Sequence, residues 1–118
     1  GLVAGGIREI IEQADRDAFF SRLAPDVVWI GVYPGQLCRN REQVVAMLER
    51  AVNVERVIRP QILAERHGML VVDPHADPQP EWVSELHQVI VVGEDDDVVE
   101  IRDHPDRDSA LAALEVPW

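Results

Sequence analysis

"NREQVVAMLERAVNVERVIRPQILAERHGMLVVD", residues 40–73, changes its hydrophobic period partway along, and that change decides the fold. Up to about Asn53 the apolar residues Val44, Val45, Leu48, Ala51 and Val52 recur at helical spacing. Asn40 stands in front of them as an N-cap, with Gln43 placed as its capping-box partner. Beyond Asn53 the pattern alternates with period two and predicts strands near 57–66 and 69–73, joined by a tight turn at His67-Gly68. Pro60 has no amide hydrogen for a ladder, which puts the first of these strands at an edge or a bulge.

The same reading extends in both directions. Toward the N-terminus, Ile7, Ile10, Ile11 and Ala14 share one helical face with Arg8, Glu9 and Glu12 between them. "DRD" at 15–17 offers an N-cap for a second short helix through Phe19, Phe20 and Leu23, which Pro25 stops. "DVVWIGVY" at 26–33 is rich in β-branched and aromatic residues and reads as a strand, followed by the turn-like "PGQLCR". Toward the C-terminus, "DPHADPQP" at 73–80 reads as an irregular, mobile connection because of its prolines. Strands follow near 82–92 and 98–104, with the acidic "GEDDD" at 93–97 as a solvated turn between them. After Pro105, Asp106 or Asp108 caps a last helix over 109–115. The order predicts one α+β domain over 1–118, with helices gathered on one face of an antiparallel sheet.

Composition narrows the function classes. The chain has 118 residues, a net charge of −11 and 47% hydrophobic residues, and all 11 basic residues are Arg. Such a surface repels phosphates and anionic lipid, so neither nucleic acid nor membrane is expected as a partner. The longest apolar run is far too short for a membrane span and no charged-then-apolar leader is visible, which leads to the expectation of a cytoplasmic protein. The single cysteine, Cys38, excludes an internal disulfide and reads as a small apolar residue in a loop. His67, His75 and His104 lack metal-ligand spacing, and neither a metal nor a cofactor is expected.

The element order, together with "APDVVW" after a short helix, "NREQVVAMLE" opening the third helix and "DVVEIRDHPDRDSALAAL" at the end, resembles the NTF2-like superfamily in its SnoaL-like and ketosteroid-isomerase-like branch. The resemblance implies a cone-shaped, curved sheet wrapped around the N-terminal helices, a deep apolar pocket, and a homodimer packed through the sheet. Fold alone does not select a reaction. Ketosteroid isomerisation needs a carboxylate base facing a Tyr and a protonated Asp. Aligned on "APDVVWIGVYPG", the resemblance puts the base at Gly31, the tyrosine at Ile7 and the acidic donor at Gln88. That reaction by the known route is therefore not expected.

Pleating then assigns pocket residues. With Gly31 inward, Val27, Trp29 and Tyr33 turn inward too, Trp29 either as core or as a flat stacking wall. With Gln88 inward, Ser84, Leu86 and Ile90 join it, while Glu85, His87 and Val89 face out toward a dimer interface or solvent. In the last strand Val99, Ile101 and Asp103 share the inward face, and Val98, Glu100, Arg102 and His104 the other. Asp103 is then either a buried acid/base, as a pocket Asp is in the SnoaL-like cyclases, or an anchor for the turn into the last helix. The expected ligand-binding set is Trp29, Tyr33, Leu86, Gln88, Ile90 and Ile101, around a small hydrophobic molecule, with Gln88 or Tyr33 orienting an oxygen. The protein is then an isomerase, cyclase or dehydratase, or a non-catalytic binding or dimerisation module.

Overall fold

The computed structural model describes residues 5–13, 15–32, 35–51, 57–58, 60–66, 68–73, 76–77 and 87–115. Helix α1, Gly5–Glu12, buries Ile7 and Ile11 and leaves Arg8 exposed to bind Glu12 and, from strand β4 described below, Glu65 at 2.9 Å each. Helix α2, Arg16–Ser21, starts at Asp15, whose side chain accepts from the Ala18 amide. Strand β1, Leu23–Ile30, begins earlier than its β-branched run predicts, because Leu23 already pairs with Val98. The register then shifts between Leu23 and Val28, and exposed Pro25 lies inside that irregularity, where no ladder donor is required of it.

Strand β2, Leu37–Cys38, returns along β1, so Cys38 lies in a strand and is buried in the core, not in a loop. Helix α3, Arg41–Ala51, is capped as the sequence predicts: Asn40 Oδ1 accepts from the Gln43 amide at 2.9 Å, and Gln43 reaches back to the Arg39 amide at 2.8 Å. The predicted strand over 57–66 divides at Pro60. Strand β3, Val57–Ile58, pairs in a separate ribbon with β6, Ala76–Asp77, which lies in the segment predicted to be irregular. Strand β4, Gln61–Arg66, forms an edge of the main sheet and pairs with β5, Met69–Asp73. Gly68 turns between them at φ +78, a backbone conformation natural to glycine.

Strands β7, His87–Val92, and β8, Val98–His104, complete a six-stranded sheet in the order β2-β1-β8-β7-β5-β4. All neighbours are antiparallel except β1 and β8, which run parallel. Helix α4, Arg107–Ala113, follows, N-capped by Asp106 through the Ser109 amide at 2.7 Å.

One core layer joins Ile7, Ile11 and Val44 of the first three helices' side to Val27, Trp29, Leu70, Val72, Ile90 and Ile101 of the sheet. The last helix does not join them. Ala110 and Leu114 pack instead with Met69, Val71 and Val89 on the opposite sheet face. The helices are therefore not all on one face, and the reason is visible in β5: "MLVV" is buried at every position, which requires cover on both sides.

Two further departures are local. Val98 is fully buried with Ile101, because the ladder shifts between Val91 and Val92 and makes Val99 the extra residue; strict alternation had put Val98 on the other face. In the turn between β7 and β8, Asp96 adopts φ +59 and its carboxylate meets Arg22 at 3.0 Å, so this part of the acidic run is a clasp rather than solvated surface. Gly6 lies against the same carboxylate, where a Cβ would approach Asp96 Oδ2 to 2.5 Å.

Candidate functional site

The site is built where three strands lie side by side. The β7–β8 ladder sets Gln88 opposite Asp103 and Ile90 opposite Ile101, while the parallel β1–β8 pairing sets Trp29 opposite Ile101. Trp29, Ile90 and Ile101 thus form an apolar layer across β1, β8 and β7, all three buried. One pleat further along the strands, on the same face, the layer ends in the polar pair Gln88 and Asp103.

Gln88 Nε2 donates to Asp103 Oδ1 at 3.0 Å. The Trp29 indole N–H is directed toward the same carboxylate and lowers its pKa. Both Gln88 and Asp103 are half-buried, so the pair keeps contact with solvent. Burial pushes the Asp103 carboxyl above its ordinary range, and the bonds from Gln88 and Trp29 pull in the other direction without cancelling it. No charged side chain among the described residues acts on Asp103. The arrangement is a carboxyl group held by two neutral donors at the edge of an apolar layer, which is the chemistry a proton-transfer group needs.

Of the sequence-predicted residues, Trp29, Gln88 and Asp103 are joined by hydrogen bonds, and Ile90 and Ile101 support them. Tyr33 and Leu86 lie outside the described residues. Gln88 can orient a ligand oxygen or bond a neighbouring side chain, and it directs one amide N–H at Asp103, its cross-strand neighbour. Asp103 was weighed as an anchor for the last helix, but that turn is capped by Asp106, two residues closer to the helix.

His87 faces away from Gln88, as pleating requires, yet it is 8% exposed rather than open to solvent or a dimer interface. Val89 on the same face lies under α4. His104 sits opposite His87, its Nε2 buried without a hydrogen-bond partner. Burial, with Arg102 adding to it, holds the His104 imidazole below its usual pKa; Asp106 opposes them. An open cleft bounded by Pro25, Asn40, Arg41 and Glu42 does not include the Asp103 site.

Gly31 lies under Gln36, which occupies the space where a Cβ would stand, and Ile7 is fully buried among apolar residues. Neither place offers a base or a phenol.

A six-stranded mixed sheet with α1–α3 on one face is the fold of solved NTF2-like proteins, SnoaL-like and ketosteroid isomerase-like ones among them. A protein of Mesorhizobium loti described as a SnoaL-like polyketide cyclase superposes with a TM-score of 0.60 at 11% identity, over 86% of this chain and 95% of that one. An NTF2-like protein of Burkholderia xenovorans gives 0.55 at 18% identity, over 95% and 92%. A ketosteroid isomerase-like protein of Catenulispora acidiphila, solved in complex with trimethylamine, gives 0.56 at 13% identity, over 98% and 93%. No family model matches the sequence, and no curated protein matches it. Among the described residues no helix is long and apolar enough to cross a membrane.

Proposed function

We propose that the Asp103 end of the sheet is a binding site for a small hydrophobic molecule, and that the protein is an enzyme of isomerase, cyclase or dehydratase type with Asp103 as its acid/base. The observation that carries this reading is a half-buried carboxyl group with a raised pKa, supported only by neutral donors. A structural carboxylate is ordinarily paired with a cation or backbone amides, which lower its pKa; the opposite shift suits a group that takes up and gives back a proton. The buried layer of Ile90, Ile101 and Trp29 would back the site, and a substrate would meet the half-buried Gln88 and Asp103 at its end. The trimethylamine held by the Catenulispora acidiphila protein supports a small-molecule role for this fold.

The non-catalytic alternative draws on one observation. Gln88 directs an N–H at Asp103, so no second donor is shown waiting for a developing oxyanion. The two readings separate in one experiment. A thermal-shift screen of apolar hydroxy, keto and polyketide-like compounds identifies ligands, since a compound that binds the native state raises Tm. Hits are then assayed for turnover with the parent chain and with Asp103→Asn. The enzyme reading expects turnover that the variant loses while still binding; unchanged kinetics in the variant removes Asp103 from the reaction. Ligands that bind without turnover leave the binding module.

A further inference from the structure

We infer that the Asp103 site takes a protonated amine carried on an apolar body, in preference to an alcohol, a ketone or an anion. This rests on the reading of Asp103 as a ligand site and names the head group that the site would select. The first ground is hydrogen-bond capacity. Trp29 has a single N–H and gives it to Asp103, and Gln88 gives one of its amide hydrogens to the same carboxylate. What remains is rich in acceptors: the unused lone pairs of the carboxylate and the Gln88 carbonyl oxygen, against one remaining Gln88 N–H. A carbonyl or carboxylate ligand would find few donors. An ammonium group brings donors alone.

The second ground is charge. Asp103 is half-buried and has no cation acting on it among the described residues. The four ion pairs among those residues use Arg8, Arg22 and Arg102, none of them with Asp103. An ionised carboxylate in that position is incompletely compensated, and a cationic ligand supplies the missing charge at short range. The net charge of −11 acts in the same direction at long range, drawing cations and repelling anions. The third ground is the surround of the site: the half-buried Gln88 and Asp103 sit one pleat from the buried Ile90 and Ile101, so a charge-assisted hydrogen bond to Asp103 forms at the edge of an apolar layer, where it is strong.

The test is a matched series of probes sharing one body: naphthylmethylamine, naphthylmethanol and naphthoate, with benzylamine, benzyl alcohol and benzoate as a smaller set. Titration calorimetry at neutral pH and moderate salt measures each against the parent chain, Asp103→Asn and Gln88→Leu. The amine is expected to bind about tenfold or more tightly than its alcohol, and the carboxylate more weakly than either, as a charge-assisted hydrogen bond requires. Asp103→Asn should bring amine and alcohol to equal affinity, while Gln88→Leu keeps the amine first. The inference is overturned if alcohol or carboxylate binds as tightly as amine. It is equally overturned if the amine preference survives in Asp103→Asn, which would assign it to the acidic surface at large. In either case binding of the neutral probes would leave the pocket reading standing. Failure of every probe of both sizes overturns the two together.

Discussion

Asp103 stands at a position where function and stability oppose one another. Its carboxyl pKa is raised in the folded chain, first by burial, so the folded state holds the proton more tightly than the unfolded state does. A carboxyl shifted in that direction contributes fully below its unfolded value, and the contribution is lost as pH rises through the folded value. At neutral pH Asp103 is therefore a liability. Asp103→Asn keeps an oxygen for Trp29 and Gln88 and removes the charge, so the variant should melt at a higher temperature at pH 7, within the ~0.5–2 kcal/mol typical of single stabilising substitutions. The difference should close toward pH 3. Melting curves across that range decide it: a variant less stable than the parent at pH 7 would show that the bonds from Trp29 and Gln88 outweigh burial.

At the scale of the element, α3 shows sequence and structure agreeing for a local reason. Its cap is written in adjacent residues: Asn40 makes the contact that its spacing predicts, and Gln43 reaches one residue further back, to the Arg39 amide. Asn40→Ala should cost about 1 kcal/mol, readable as a lowered midpoint in urea with an unchanged slope. A shift below about 0.3 kcal/mol would mean that packing of Val44 alone holds the helix. Strands β5, β7 and β8 were legible too, because period-two runs and a Gly turn are local signals. The departures are those that depend on distant partners. The parallel pairing of β1 with β8 brings Trp29 to Asp103 across more than seventy residues, and no local pattern announces it. The bulge at Val99 that turns Val98 inward is likewise a property of the ladder, not of the strand. The side taken by α4 has a local signal: "MLVV" without polar alternation calls for cover on both faces.

For the whole molecule, α4 decides which surfaces are free. The outer sheet face, through which the resemblance implies a homodimer, carries Met69, Val71 and Val89, and the chain's own Ala110 and Leu114 lie on them. At the edge of that face His87 and His104 are cross-strand neighbours, close to Asp106, the cap of α4. The His104 pKa is held below its usual value: burial lowers it, Arg102 beside it lowers it further, and Asp106 only partly offsets them. Because the unfolded imidazole takes a proton near its ordinary value of 6.5 and the folded one only at lower pH, the stabilisation is present above about pH 6.5 and is lost as pH falls below it. Acidification acts on a ring whose Nε2 is buried without a partner, so the proton arrives where water cannot solvate it. His104→Gln removes the titration and keeps a polar side chain of similar reach. Urea unfolding at pH 7.5 and 5.5 should show the parent losing stability between the two and the variant losing less. Equal losses would assign the acid sensitivity to other groups.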